Sequence, residues 1–130
     1  MLMPNESPSA GLCVMVVEDE SLVLFNLEDM LAEMGCTIVG PAMRLEEAQA
    51  LARSTMEADV ALLDVNLGGQ QVFPVAEILA GRGIPFVFAT GYGREGLPEE
   101  WRGRPVLPKP YTEQELASAL AAFRPARSEA

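Results

Sequence analysis

The run Val60-Ala61-Leu62-Leu63 is apolar at every position and stops abruptly at Asp64, with Asn66, Gly68 and Gly69 close behind. A strand with one solvated face alternates polar and apolar residues; an unbroken apolar run belongs to a strand covered on both faces, as in parallel sheets flanked by helices. The run therefore asks for an α/β layered fold and delivers Asp64 to a strand's carboxyl end. In open α/β sheets that rim is where ligands bind, because loops there project side chains into a crevice above the strand ends. Taken singly, an aspartate in this place is equally a turn former or a helix N-cap.

Two further runs repeat the pattern. Leu12-Cys13-Val14-Met15-Val16-Val17 ends in Glu18-Asp19-Glu20, and Pro85-Phe86-Val87-Phe88-Ala89 closes on Thr90-Gly91-Tyr92-Gly93. Shorter strands are predicted over 37–40, followed by a turn over 41–44, and over 106–107, ending at Pro108-Lys109-Pro110. The intervening segments have helical spacing. Leu24, Leu27, Leu31 and Met34 share one face over 21–34, with Gly35 as C-cap, and Leu45, Ala48, Leu51, Ala52 and Met56 share another over 45–56. Pro74 opens a third helix with Val75, Ile78 and Leu79 inward, ended by Gly81 and Gly83. Gly96, Pro98 and Gly103 interrupt 94–104 too often for a regular helix, so a loop or single turn anchored by Trp101 is expected. Thr112 and Glu115 match a capping box ahead of a last helix with Leu116, Ala119, Leu120 and Phe123 inward. Alternation of strand and helix throughout predicts a parallel sheet with helices on both faces and right-handed crossovers. The expected organisation is one domain over 11–124 between tails at 1–10 and 125–130.

Composition excludes several functions. The 19 acidic against 9 basic residues give a net charge of -10, a field that repels nucleic acid and anionic membranes, so neither is an expected partner. Without a signal-like start or a membrane-length apolar run, a soluble cytoplasmic protein is expected. The chain has no His, which removes His-based nucleophilic and general-base catalysis. Cys13 and Cys36 lack metal-ligand spacing and read as small core hydrophobes, as Met15, Met30, Met34 and Met56 read as core packing.

The strand ends bring a complementary set of groups to one rim: Glu18 and Asp19, Asp64, Thr90 and Lys109. Carboxylates crowded together repel and hold their protons more tightly unless a cation neutralises them. A hard divalent ion such as Mg²⁺ fits, with Asp19, Asp64 and the backbone carbonyl of Asn66 as ligands and Glu18 holding a coordinated water. Lys109 supplies positive charge for an anion, Thr90 a hydroxyl, and the Val65 and Gly91 amides further donors. Such a set suits a phosphoryl group, with Asp64 as nucleophile.

The order Glu18-Asp19, Asp64, Thr90 and Lys109-Pro110 resembles the receiver domain of two-component response regulators, over about residues 12 to 123. The resemblance implies a flavodoxin-like, doubly wound five-stranded parallel sheet in order 2-1-3-4-5, with Asp64 as phosphoacceptor. It further implies Glu18 and Asp19 at the metal, Thr90 and Lys109 as phosphate contacts, and a cis Lys109-Pro110 bond. The stretch Pro85-Phe86-Val87-Phe88-Ala89-Thr90-Gly91-Tyr92-Gly93 is similar to the FAT GUARD subgroup, named for its Phe-Ala-Thr motif and linked to histidine kinases of the HWE type. Three departures matter. Val106 stands where most receivers carry a switch aromatic, the fourth helix is poorly encoded, and Leu67-Gly68-Gly69 replaces the usual proline-containing loop. Ordering of 91–103 on phosphorylation, reported by Tyr92 or Trp101, is the expected substitute for an aromatic swing.

On this reading the protein is a stand-alone phosphoacceptor switch rather than an enzyme acting on other molecules. It takes a phosphoryl group from a histidine kinase or phosphotransfer protein, and its altered surface acts on an unidentified downstream protein. A phosphate-independent adaptor is one alternative. A haloacid-dehalogenase-type phosphatase is another, disfavoured because Asn66 stands where that family needs a second aspartate.

Overall fold

The computed structural model describes residues 9–125. The chain runs β1 (Cys13–Val17), α1 (Ser21–Glu33), β2 (Thr37–Ala42), α2 (Leu45–Ser54), β3 (Val60–Asp64), β4 (Asn66–Leu67), β5 (Gln70–Gln71), α3 (Phe73–Gly81), β6 (Phe86–Thr90), β7 (Val106–Pro108) and α4 (Glu113–Leu120). Five strands form one parallel sheet in the order β2-β1-β3-β6-β7. Counting sheet strands alone, this is the expected 2-1-3-4-5, the flavodoxin-like order. Every residue of β1, β3 and β6 is buried, which is why these runs lack alternation.

The two faces of the sheet carry separate cores. Met15, Val17, Leu63, Phe86 and Phe88 pack with Ala48, Ala52, Val75 and Leu79 of α2 and α3. Val14, Val16, Leu62, Val87 and Ala89 pack with Leu24, Leu27, Leu31, Leu116 and Leu120 of α1 and α4. Period-3.6 stripes on the helices thus meet both faces of a sheet whose strands are apolar throughout, giving the layered architecture its driving force. The Thr112–Glu115 capping box opens α4 as expected. Among the described residues no helix is long and apolar enough to cross a membrane.

Several local expectations are corrected. β2 continues through Pro41 and Ala42 instead of turning after Gly40. An edge strand tolerates proline because one side needs no N–H donor, and Ala42 still accepts from the Glu18 amide at 3.1 Å. Helix α2 stops at Ser54, where Thr55 takes an extended backbone. Met56 therefore leaves the helical stripe and is 86% exposed rather than inward. The segment expected as a loop after Asp64 contains an antiparallel hairpin, β4–β5, turning at Gly68 and Gly69.

Of the expected tails, residues 1–8 and 126–130 lie outside the described residues. Ser9 is buried, and its carbonyl accepts from the Leu12 amide at 3.0 Å and the Cys36 thiol at 3.5 Å. Burial, with Cys13 nearby, pushes the Cys36 thiol up to about 11, in keeping with a packing role. The Lys109-Pro110 peptide is cis, as is Gly40-Pro41.

The 94–104 segment forms two single 3₁₀ turns, Arg94–Gly96 and Glu99–Trp101. Trp101 is buried against Phe73, Phe86 and Phe88, with ring centroids 6.4, 5.8 and 6.1 Å away. Arg104 lies over the Phe86 ring at 4.5 Å. The Arg94 guanidinium donates to the Arg102 and Arg104 carbonyls, both at 2.7 Å, replacing the regular hydrogen bonds that a helix would have made.

Candidate functional site

The register of the central strands brings the polar residues to one rim. Leu63 pairs with Val17 on one side and Phe88 on the other, so Glu18, Asp64 and Thr90 emerge side by side. Ladder bonds continue past the strand ends and pin this rim: the Glu18 amide donates to Ala42, that of Val65 to Ala89 at 3.1 Å, and that of Lys109 to Thr90 at 2.9 Å. The amide of Val65 is thus committed to the sheet, correcting the expectation that it serves an anion.

Glu18 and Asp64 are buried and Asp19 is half-buried, yet one oxygen from each lies within 4.8 Å of the others. The Lys109 ammonium sits between them, Nζ 3.3 Å from Asp64 Oδ1 and 3.4 Å from Glu18 Oε1. One lysine faces a cluster of three acids, and the imbalance appears in the acceptor candidate itself. Burial and the negative charge of Glu18, opposed by Lys109, push the Asp64 carboxyl up to about 7. Burial lowers the affinity of Lys109 for its proton, but Asp64 and Glu18 outweigh it and hold the ammonium above its ordinary value.

Further hydrogen bonds orient the acids. Glu18 Oε2 accepts from the Glu20 amide at 3.1 Å, and Asp19 Oδ2 from the Gly68 amide at 2.9 Å. Asn66 uses its side-chain Oδ1 to accept from Gly69, while its main chain joins the hairpin. Thr90 is buried, and its Oγ1 accepts from the Tyr92 amide at 3.1 Å, fixing the turn after β6. Asp19, Asp64, Asn66, Thr90, Tyr92 and Lys109 line an open cleft of about 520 Å³.

No family model matches the chain. The solution structure of SdrG from Sphingomonas melonis Fr1 superposes with a TM-score of 0.74 at 44% identity, covering 88% of this chain and 96% of that one. The crystal structure of the response regulator PhyR from Brucella abortus gives a TM-score of 0.74 at 28% identity, covering 88% of this chain and 49% of that one. The chain belongs to the response-regulator receiver family. Among curated relatives, the transcriptional regulatory protein PdtaR of Mycobacterium tuberculosis is 32% identical over 111 residues, 82% of this chain and 54% of the relative. The receiver therefore spans about half the length of the curated relatives it matches.

Within this receiver the expected residues Glu18, Asp19, Asp64 and Lys109 come together, and Thr90 and Asn66 line the same cleft. Two participants were not anticipated. Gly68 reaches back to Asp19 from the hairpin; the Gly-Gly pair between two short strands was the available signal. Tyr111 follows the cis proline, and burial together with the charges of Glu18 and Asp64 raises its phenol well above the ordinary range. Nothing in the local sequence around Tyr111 encodes that proximity, which arises from packing against the α1 face of the sheet.

Proposed function

We propose that this receiver is a phosphoacceptor switch in which Asp64 takes a phosphoryl group from the phosphohistidine of a histidine kinase, in a reaction that requires Mg²⁺. The observation that carries the proposal is the packing of Asp64 beside Lys109 within a cluster of uncompensated carboxylates. Asp19 and Asp64, with the Asn66 carbonyl and a water held by Glu18, would give Mg²⁺ a hard oxygen donor set, and the elevated Asp64 carboxyl reflects its burial first and the neighbouring charge of Glu18 second. When bound, the ion neutralises the charge of the acids and the charge on the phosphoryl oxygens.

The remaining work falls to the chain. A deprotonated Asp64 oxygen forms a bond to phosphorus as the phosphorus–nitrogen bond of the donor breaks, and the electron pair stays on the imidazole nitrogen, which takes a proton. Lys109 already lies 3.3 Å from the attacking carboxylate, where its ammonium can follow the negative charge onto the phosphoryl oxygens. Thr90 and Gly91 line the same cleft, where the Thr90 hydroxyl and the Gly91 amide supply hydrogen bonds to the product. The chain thereby acts on its own carboxylate and on no separate substrate. SdrG has been solved in a BeF₃-activated conformation, 45% identical to this chain, and trifluoroberyllate has the shape and charge of a phosphoryl group. That relative supports the reading. Output follows through altered contacts with a downstream protein in the cytoplasm, where kinase phosphohistidine is made.

Intact mass measured after incubation with acetyl phosphate and Mg²⁺ tests the proposal. A single labile phosphoryl adduct is expected, absent from Asp64→Asn and from a chelator-treated control. Loss of the adduct in neither control overturns Asp64 as the acceptor. No adduct with acetyl phosphate or with a purified histidine kinase favours the phosphate-independent adaptor.

A further inference from the structure

We propose that the main-chain amide of Gly68 is a positioning donor for the cation site, holding the Asp19 carboxylate in place from the tip of the β4–β5 hairpin. The inference rests on the reading of Asp19 as a ligand and assigns the hairpin a part in that site. Asp19 lies beyond the end of β1 and is only half-buried, so packing alone restricts its carboxylate weakly. Its Oδ2 accepts from Gly68, a residue 49 positions away in the chain, at 2.9 Å.

The donor is held independently of the acid. Asn66 pairs with Gln71 and Leu67 with Gln70, and the Val72 amide closes the base on the Val65 carbonyl at 2.9 Å. Leu67 within the hairpin and Val72 at its base are buried. Gly68 and Gly69 have φ of +57° and +91°, the left-handed pair of a two-residue turn that matches strand twist. The Gly69 amide adds a bond to Asn66 Oδ1 at 3.1 Å. Gly68 thus arrives at Asp19 on a folded support, and the bond orders the carboxylate before any cation binds.

The bond leaves ligand capacity intact. A carboxylate has about four lone-pair sites, so Asp19 retains Oδ1 and one site on Oδ2. Donors that orient a metal ligand without touching the metal typically contribute about 10–100-fold to affinity. The same hairpin begins at Asn66, so one small unit carries both the Asn66 carbonyl and the clamp on Asp19. A proline at position 68 would have no N–H to give and would force φ to about −65°.

The test compares Gly68→Pro with Gly68→Asn, using Mn²⁺ as the probe and water-proton relaxation as the readout. Asn keeps the N–H and tolerates left-handed backbone, and its Cβ would lie 3.9 Å from Asp19 Oδ2, an ordinary contact. Gly68→Pro is expected to bind Mn²⁺ about 10–100-fold more weakly, with Gly68→Asn close to the parent chain. Labelling of Asp64 by acetyl phosphate in Gly68→Pro should return to the parent rate once Mg²⁺ is raised to saturation. Equal Mn²⁺ affinity in a folded Gly68→Pro, or a rate that stays low at saturating Mg²⁺, overturns the proposal.

Because Gly68→Pro also disturbs the turn, amide exchange in the parent chain gives an independent check. The Gly68 amide is expected to be protected without metal and to lose about tenfold of that protection in Asp19→Ala. Equal exchange in the two proteins, with Mn²⁺ binding intact in the parent, overturns the clamp alone. A protected Gly68 in a parent chain that binds no Mn²⁺ overturns the cation reading, and the clamp's role with it.

Discussion

Lys109 Nζ lies 3.3 Å from Asp64 Oδ1 and 3.4 Å from Glu18 Oε1, so a single ammonium divides its charge between the candidate acceptor and a neighbouring acid that is itself buried. Cleavage of this arrangement by Lys109→Ala leaves the acids facing one another with no cation among them. The Asp64 carboxyl of the metal-free protein is then expected to titrate above about 7, its value with Lys109 present. Labelling by acetyl phosphate should slow by about 100-fold, the usual effect of removing one group that stabilises developing charge. Carbon-detected titration of Asp64 and a time course of intact mass measure the two effects separately. An unchanged titration would show that Lys109 is too well hydrated to matter.

The elevation of Asp64 has a thermodynamic counterpart. The carboxyl titrates at about 7 in the native protein and near 3.8 in an unfolded chain, so between these values the native state holds a proton that the unfolded state has released. Stability of the metal-free protein therefore falls as pH rises through that window, and the loss is complete above it. Asp64→Asn has no such proton to lose. In urea unfolding, the variant and parent should be similar near pH 4, with the variant more stable by ~2–4 kcal/mol near pH 8. Saturating Mg²⁺ should restore stability to the parent at pH 8 and do less for the variant. A difference that does not change with pH would place the Asp64 carboxyl outside the window.

The sheet and most of the rim were legible because unbroken apolar runs fix both the strand type and where each strand ends. Asp64, Thr90 and Lys109 could be placed on the rim from position, each directly at or after a strand's carboxyl end. Pairwise geometry was not legible. The sharing of Lys109 between Glu18 and Asp64 spans 91 and 45 positions of sequence and depends on sheet register. Met56 was misplaced because an apolar residue in helical phase counts as inward only if the helix persists, and Thr55 ends it. The Pro41 extension of β2 was missed because edge position, which excuses a proline, is a property of the sheet and not of the segment.

Asp59 lies at the opposite end of β3 from the site and was silent in the sequence. Its Oδ2 accepts from the Cys13 amide at 2.8 Å, and its own amide donates to the Cys13 carbonyl at 2.8 Å, joining the starts of β1 and β3. The acid is buried, so Asp59→Ala removes a buried hydrogen bond to the Cys13 amide. The expected loss is about 1–3 kcal/mol in urea unfolding, with Asp59→Asn milder because an acceptor oxygen remains. Labelling of Asp64 below the unfolding transition should be unaffected, since the rim is positioned by bonds at the other end of the sheet. A slowed labelling rate in folded Asp59→Ala would mean that the amino end of β3 sets the geometry of its carboxyl end.

Trp101 replaces a helix's worth of packing in the segment after β6. It seats this segment on Phe73, Phe86 and Phe88 alongside the buried Leu97, and its indole Nε1 is buried without a hydrogen-bond partner among the described residues. Burial of an unpaired N–H is unfavourable, and the aromatic contacts offset it. The two contributions can be separated. Trp101→Ala forfeits the surface and is expected to destabilise by about 3–5 kcal/mol. Trp101→Phe keeps much of the surface and discards the unpaired N–H, so its loss should be no more than about 1–2 kcal/mol. Exchange of amides across 94–104 should accelerate sharply in the alanine variant and little in the phenylalanine one, if a single anchor holds the segment. Similar exchange in both variants would assign that role to the buried Leu97 and to the Arg94 bonds to the Arg102 and Arg104 carbonyls instead.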